Sequence, residues 1–440
     1  MVEITKMKAE KQKAEKEAFF CTTKELSRLG REQIPTQFQS HKHLIYSSPA
    51  TLAFNSPGAE GFGVKRAGLA VPDSIMLIVA PGCCGRNTSL ISSMKEYNDR
   101  FYYLMMDETD IVTGRHLKKI PKAVEEICSV CPKKPSVVMI CITCVDALLG
   151  TDMERVCKKA EEQVEIPVRP CYMYALTREG RKPPMVHVRQ SLYSLLEPGK
   201  KKGNVVNLLG FFSPLVDDCE IYDLLHSAGV KTIHEISRCK DYMEYQTMSE
   251  ANFNLVLHHE ARFAAENFHN RLQIPFIELR RLYQIDKIEN QYHALGNALG
   301  VAFYDEKYKK QAEDALEKFR KKCPDASFAI GECLNADPFE LSLALIRYGF
   351  SVPEIYGTIT VENFTYIRSL AKISPETKVF SNMEPTMIYY DPAKSGVNLA
   401  IGKDACYYHP DCPYVMWNGE EQPYGYAGVR RLFEQLLEVV

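Results

Sequence analysis

The chain has 440 residues, of which 45% are hydrophobic and 25% are charged, so we expect a globular protein of two or three domains. Its formal net charge of −2 gives no electrostatic reason to expect a nucleic-acid or membrane partner. No apolar run is long enough to cross a bilayer, and the first residues lack the apolar core of a signal peptide, which predicts a cytoplasmic protein.

The N-terminal segment is dominated by Lys, Glu and Ala over residues 1–20. Such a composition favours a solvated helix and supplies few apolar anchors. We therefore predict an N-terminal helical arm over residues 1–50, with partner binding as the alternative role.

A regular alternation of short apolar strands and amphipathic helices begins near Asp73 and continues through the rest of the chain. It restarts after the basic segment "EPGKKKGN" and again after a long helical region, which divides it into three sets. Strands that are apolar on both faces and alternate with helices indicate parallel sheets covered on both sides. The predicted fold is α/β, with three Rossmann-like open parallel-sheet domains in series over residues 51–200, 201–322 (including the helical linker) and 323–440.

Two cysteine turns follow strands of the first domain. "APGCCGRN" contains Gly82, Cys83, Cys84 and Gly85, and "CITC" ends at Cys144. Thiolates select iron–sulfur clusters or zinc, and strand carboxyl ends are the ligand-binding edge of open α/β sheets. We predict that Cys83 and Cys144 bind a metal cluster, with Cys84 as a further candidate and the glycines allowing close backbone approach.

The fifteen cysteines also permit another interpretation. Cys128 and Cys131 form one C-x-x-C pair, and Cys141 and Cys144 form a second, as in zinc sites. Strand alternation, however, points Cys141 away from the turn, and "CSVC" is expected to end a helix.

The second domain presents "HHEAR" at the end of its third strand. His258, His259 and Glu260 are candidate proton donors, and the alternative is a histidine pair that caps a helix at a domain interface. In the third domain, Asn335 or Asp337 is expected to cap a helix. There is no G-x-x-x-x-G-K-[ST] phosphate loop, so ATP chemistry is not expected in this chain.

Several segments together resemble the nitrogenase component 1 family, including its relatives that reduce tetrapyrroles. Beside the cysteine turns, the similar segments follow in order: "DETDIVTGRHLKKIPKAVEEI", "ITCVDALLGTDMERV", "FNLVLHHEARFAAENF", "IPFIEL", "YYDPAKSGVNLAIGKD" and "PYGYAGVRRLFEQLL". The resemblance implies a three-domain subunit that pairs with a like or related subunit, as a homodimer or heterotetramer. It also implies an iron–sulfur cluster (4Fe-4S or larger) at the subunit interface, fed by a separate ATP-hydrolysing iron protein.

The chain departs from the family pattern at two places. No cysteine lies between Thr51 and Gly82, where the family has a further ligand, so the remaining ligands would come from the partner, Cys84 or Cys21. The family's large-cofactor ligands, a Cys and a His, are matched by His259 and by Val415 or Met416. We therefore predict no molybdenum–iron cofactor held in the nitrogenase manner, which leaves room for a different second metallocofactor.

The function expected from the resemblance is a nitrogenase-like reductase subunit that takes low-potential electrons through the Cys83–Cys144 cluster. They would reach a substrate or metallocofactor between the domains. One alternative is a scaffold on which a metallocluster is assembled without turnover. A metal-free α/β binding module is the other.

Overall fold

The computed structural model describes residues 17–39, 49–50, 63–82, 92, 94–173 and 182–440. The first elements in this part of the chain are strand β1 (Phe20–Thr22) and helix α1 (Thr23–Leu29). The remaining strands form three sheets in series, which confirms the predicted α/β architecture of three open-sheet domains.

The first sheet has four parallel strands in the order β3-β2-β4-β5. The strands β2 and β4 are buried along their whole length, which explains their uninterrupted apolar sequences. The strands are Ile75–Ala80 (β2), Phe101–Met105 (β3), Val138–Ile142 (β4) and Val168–Tyr172 (β5). The helices are Val64–Gly68 (α2), Glu108–Thr113 (α3), His116–Val130 (α4), Cys144–Leu149 (α5), Met153–Val164 (α6) and Pro184–Tyr193 (α7).

The second sheet repeats this topology in the order β7-β6-β8-β9, again with parallel pairing throughout. Its strands are Lys202–Leu209 (β6), Thr232–His234 (β7), Ala251–Val256 (β8) and Phe276–Glu278 (β9). Its helices are Glu220–Ser227 (α8), Tyr242–Gln246 (α9) and Arg262–Leu272 (α10). Two longer helices then lead to the third sheet, Ile285–Leu299 (α11) and Glu306–Lys322 (α12).

The third sheet has six strands in the order β1-β12-β11-β10-β13-β14. Its later strands are Ser327–Ile330 (β10), Ser351–Tyr356 (β11), Lys378–Phe380 (β12), Leu399–Ile401 (β13) and Tyr414–Val415 (β14). The helices of this domain are Pro338–Arg347 (α13), Phe364–Ile373 (α14), Lys403–Tyr408 (α15) and Gly425–Val439 (α16). Side chains of the second and third domains form one continuous hydrophobic core, so these two domains are packed directly on each other.

Residues 1–16 and 40–48 of the predicted N-terminal arm lie outside the described residues, and residues 17–39 pack onto the third domain. Strand β1 pairs antiparallel with β12, with Cys21 opposite Val379, and helix α1 packs against α14. Leu26 and Phe38 are fully buried in the core shared by the second and third domains. The composition did not predict this packing, because strand β1 pairs with residues far away in the chain, and three residues carry too little periodicity to reveal that pairing. The described residues 17–39 are therefore part of the third domain's packing.

None of the helices in the described part of the chain is both long and apolar enough to cross a bilayer.

Candidate functional site

The carboxyl ends of β2 and β4 lie side by side in the first sheet, since Val79 is opposite Ile142 in a parallel register. Gly82 follows the first of these strands, is exposed, and has no atom of a described residue within 4 Å of the position a Cβ would take. Cys144 follows the second and is the first residue of α5. The structure thus brings the two predicted strand ends together.

Cys83, Cys84 and Gly85 lie outside the described residues, so their role in cluster binding stays a prediction. Cys21, considered as a borrowed ligand, is fixed in the third sheet by its pairing with β12. Burial, reinforced by Glu25, raises the pKa of its thiol to about 11. A thiol of that kind is a poor metal ligand, because the thiolate is the binding form.

A buried polar group lies beneath the Cys144 turn. His116 Nε2 is 2.8 Å from Asp146 Oδ1, both side chains are 1% exposed, and His116 Nδ1 is 3.1 Å from the carbonyl oxygen of Asp110. Both ring nitrogens of His116 therefore lie within hydrogen-bond distance of an oxygen atom, which fixes the imidazole between Asp110 and Asp146. Thr143 Oγ1 and Asp146 Oδ2 are buried without a hydrogen-bond partner in the described part of the structure.

Unsatisfied buried polar atoms are rare in folded proteins and call for an explanation such as a bound ion or group. Here they lie within two residues of a cysteine at the ligand-binding edge of a parallel sheet. The two unsatisfied atoms are oxygens, whereas the predicted ligands Cys83 and Cys144 would supply thiolates, the ligand type that iron–sulfur clusters take. Cluster binding at this edge therefore stays a prediction.

The zinc interpretation is excluded by the fold. Cys128 lies near the end of α4 and Cys131 caps it, before β4 begins, whereas Cys144 follows the end of β4. A strand of this length separates its two ends by roughly 13–17 Å, too far for one zinc ion. Cys141 is fully buried within the strand, and the Sγ of Cys131 is 3.1 Å from the hydroxyl of Tyr102. No group of three metal-ligating side chains occurs among the described residues.

A cavity of about 470 Å³ lies between the carboxyl ends of the second and third sheets, and helix α7 closes one side. Its size is that of a small-molecule or cofactor site. His258, His259 and Glu260 all line it, so the structure brings the three predicted proton donors together. The predicted helix-capping alternative also holds, since the His258 side chain accepts from the Glu260 N–H at a short 3-10 turn, His259–Ala261.

The side chains of Arg189, Glu260 and His258 hold this turn in place by hydrogen bonds. Arg189, which is 5% exposed, donates to Glu260 Oε2 at 2.8 Å and to the carbonyl oxygen of Gly210 at 2.6 and 3.0 Å. The Glu260 N–H donates to His258 Nδ1 at 3.4 Å, which leaves the proton of a neutral His258 on Nε2. Burial in the cavity wall, together with the positive charges of Arg189 and Arg281, holds the pKa of His258 well below its usual range. His258 is therefore neutral at pH 7 and acts as a hydrogen-bonding group, with little capacity to release a proton.

The opposite wall carries three carboxyl groups, from Glu332, Asp337 and Glu362, and the first two follow β10. Asp337 Oδ1 caps α13 by accepting from the N–H groups of Phe339 and Glu340, as its position in the sequence predicts. Burial raises its pKa to about 6. Burial also raises the pKa of Glu332, which accepts from Thr358. Both residues follow β10 at a strand carboxyl end, the signal that identified His258, but the sequence analysis assigned Asp337 only as a helix cap and gave Glu332 no role.

Arg281 is a further cavity residue that the sequence analysis did not single out. It lies just beyond β9 and lines the cavity beside His258, with its guanidinium carbon 4.4 Å from the ring centroid of Phe211. The segment "PFIELRR" is a short apolar run that ends at this arginine, so the strand-end rule could have placed Arg281 here.

Comparison with known proteins gives a consistent family match. The family model described as nitrogenase component 1 type oxidoreductase matches residues 60–440. One relative, the nitrogenase iron-molybdenum cofactor biosynthesis protein NifE of Sinorhizobium fredii, is 25% identical over 418 residues, covering 89% of this chain and 82% of the relative. The NifE protein of Nostoc sp. is 25% identical over 278 residues, covering 60% of this chain but only 57% of the relative.

Solved structures agree on the fold. A structure titled "Nitrogenase Cp1 at pH 6.5" superposes with a TM-score of 0.69 at 18% sequence identity, covering 90% of this chain and 92% of that one. A second, titled "Nitrogenase Cp1 at pH 5", has a TM-score of 0.59 at 15% identity, covering 86% and 87%. At these identities the likeness establishes the architecture alone.

Proposed function

The chain belongs to the nitrogenase component 1 type oxidoreductase family, and we propose that it is a reductase subunit of that kind. In this proposal, low-potential electrons enter at the carboxyl edge of the first sheet and leave to a substrate or metallocofactor in the interdomain cavity. The observation that carries the proposal is the composition of the cavity wall. It combines protonatable carboxyl groups with a fixed, neutral histidine.

Reduction by several electrons requires protons to arrive with them, and a useful donor has a pKa near the working pH. Asp337 meets this requirement, with a pKa of about 6. Its Oδ2 makes no hydrogen bond to any described residue, whereas Oδ1 is occupied by the helix cap. The free oxygen is available to hold a proton toward the cavity.

The predicted catalytic residues take complementary roles in this proposal. His258 presents Nε2–H as a hydrogen-bond donor, Glu260 and Arg189 hold the imidazole in place, and His259 lies at the exposed rim. The ring centroids of the two histidines are 4.5 Å apart, so a substrate atom between the walls could contact both.

Electron delivery rests on the first-sheet site. Cys83 and Cys144 would hold an iron–sulfur cluster, which when bound supplies electrons one at a time. We propose a second, like or related subunit to complete the ligand set and a separate ATP-hydrolysing iron protein as the electron donor. The missing phosphate-loop motif in this chain supports that division of labour.

A scaffold for metallocluster assembly is the second candidate, and the names of the relatives favour it. Both relatives described above are named as cofactor biosynthesis proteins. A cluster held by thiolates would need cysteines, and the described cavity lining has none. Asp337, with a pKa of about 6, suits proton delivery, and on this ground we prefer the reductase.

Turnover distinguishes the two functions. Anaerobically purified protein with its co-purifying partners would be mixed with the iron protein, ATP, reduced methyl viologen and the small-molecule fraction of an anaerobic cell extract. A reductase is expected to oxidise many equivalents of viologen per chain while its iron content stays constant. A scaffold would instead lose its iron once to the added fraction and oxidise no more than stoichiometric viologen. If the protein neither oxidises viologen catalytically nor loses its iron, both proposals are wrong.

The turnover rate is expected to fall as the pH rises above about 6, because the protonated form of Asp337 disappears there. The Asp337→Asn variant still caps α13 but carries no transferable proton, so its rate should be lower and independent of pH in this range. The matched control is Asp241→Asn, which changes the cap of α9 outside the cavity. A wild-type pH profile in Asp337→Asn would exclude this residue as the donor.

A further inference from the structure

Two arginines of the cavity lining, Arg189 and Arg262, are paired with a carboxylate, whereas the half-buried Arg281 has no acidic partner among the described residues. Arg189 is paired with Glu260, and Arg262 makes two hydrogen bonds to Glu278 at 2.7 and 2.8 Å. Arg281 donates through one terminal nitrogen to the neutral amide oxygen of Gln422 at 2.6 Å. Its Nε is buried without a hydrogen-bond partner in the described structure.

The described groups around the Arg281 guanidinium also include no carboxylate that would balance its positive charge. Burial lowers its pKa, and the groups that oppose this effect are the phenols of Tyr283 and Tyr424, with no carboxylate among them. Arginine nevertheless stays charged in proteins, so an uncompensated positive charge remains in the cavity wall. Gln422 cannot offset it, because its amide is neutral and its nitrogen donates to the carbonyl oxygen of Glu420.

Burying a charge without a partner is costly, and proteins retain such costs mainly at functional sites. A guanidinium offers five N–H donors in a planar fork that matches a carboxylate. The Phe211 ring covers one face of the guanidinium, 4.4 Å from its carbon, so a carboxylate would approach Arg281 from the side of the cavity that it lines. We propose that the cavity binds a carboxylate-bearing small molecule, whose carboxylate pairs with Arg281 and whose body lies between His258 and Asp337.

A carboxylate fits this wall better than a phosphate. Arg280 also lines the cavity but is exposed to solvent, which screens its charge, so Arg281 supplies the poorly solvated positive charge of this wall. That single charge matches one negative charge, whereas a phosphate ester carries up to two at pH 7. The carboxyl groups of Asp337 and Glu332 across the cavity would repel the additional charge once ionised. The cavity also presents apolar surface from Phe211, Phe212 and Tyr366, which suits an organic body.

This inference deepens the proposed function, since it names the chemical class of the ligand in the same cavity. It is nevertheless tested without turnover. If the ligand prediction fails, the cysteine site and the reductase proposal are unaffected. If no turnover is observed, carboxylate binding is still tested independently by the binding measurement.

The probe is 4-bromobenzoate, and its neutral analogue 4-bromobenzamide is the ligand control. Binding to the anaerobically purified protein would be measured by calorimetry, and the bromine would be located by anomalous diffraction. We expect Arg281→Gln to weaken 4-bromobenzoate binding by about tenfold or more, because a charged hydrogen-bond pair is lost. Binding of 4-bromobenzamide should be weak and unchanged by the substitution.

Arg280→Gln is the matched control variant, since it removes the same charge from the neighbouring, exposed residue of the cavity lining. It should change 4-bromobenzoate binding by less than about threefold, because an exposed charge is screened by solvent. Equal losses in Arg280→Gln and Arg281→Gln would overturn the site. Displacement of the probe by equimolar inorganic phosphate would overturn the preference for a carboxylate.

Thermal unfolding tests the same proposal if binding cannot be measured. Arg281 is half-buried and its buried Nε has no hydrogen-bond partner in the described structure, so removing its charge should leave the melting temperature of Arg281→Gln unchanged or higher. Arg189→Gln, which breaks a satisfied buried ion pair, should melt at a lower temperature. If Arg281→Gln lowers the melting temperature as much as Arg189→Gln does, the guanidinium is a structural group and the proposal is wrong.

Discussion

Replacing Cys83 and Cys144 together with alanine is expected to remove all iron and acid-labile sulfide from anaerobically purified protein. The strand ends that carry these residues are adjacent in the first sheet, so the two thiolates would bind one cluster. A cluster that loses two ligands from the same subunit has no replacement among the described cysteines. The others of the first domain lie within a strand or within or at the end of a helix, and the remaining ones belong to the second and third domains. Iron and sulfide analysis, with electron paramagnetic resonance of the reduced protein, measures the effect.

The matched control is the double variant Cys128→Ala/Cys131→Ala, which removes an equally spaced cysteine pair from the end of α4. Its iron content should equal that of the wild type. The single variant Cys84→Ala then decides whether the neighbouring thiol is a ligand. Retention of iron in the Cys83→Ala/Cys144→Ala protein would refute the ligand assignment, and with it the proposed route of electron entry.

The Gly425→Ala substitution is expected to lower the free energy of unfolding by about 4 kcal/mol or more, the range of severe steric changes in a core. Gly425 begins α16 with a φ of 57°, where side chains are strained. A Cβ there would lie 1.9 Å from Glu220 Oε1 and 2.2 Å from the hydroxyl of Tyr292.

Neither neighbour of that Cβ can move away cheaply. Glu220 is 1% exposed and accepts from the N–H groups of Tyr426 and Ala427, which fastens the second domain to the start of α16. Tyr292 is fully buried and donates to the same carboxylate at 2.6 Å. Relief of the clash would therefore break the contact between the second and third domains.

Urea unfolding followed by circular dichroism would measure this loss, with Gly300→Ala as the control. Gly300 also has a positive φ, 71°, but nothing lies within 4 Å of its Cβ position. Its substitution should cost only about 1 kcal/mol, the strain of the left-handed backbone alone. Similar losses in the two variants would show that the contact with Glu220 has no energetic importance.

The fold could be predicted because its signals are local. Strands such as β2 and β4 are buried on both faces, so each is a continuous apolar run that needs no knowledge of its neighbours. Helix α4 shows its period in the same way, and the strand-end rule placed both the first-sheet turns and His258 at ligand-binding edges. The position of β1 escaped prediction, since its partner β12 lies more than three hundred residues away.

The sequence by itself thus determined the order of strands and helices, the family and the edges where chemistry can occur, because apolar periodicity and motif spacing are properties of neighbouring residues. The tertiary structure decided which groups meet at those edges. Arg189 and Arg281 are the same residue type at the same cavity, yet one is paired with a carboxylate and the other is not. Asp337 titrates near pH 6 only because the fold buries it. Charge compensation and desolvation depend on residues distant in the chain, and therefore no local pattern could reveal them.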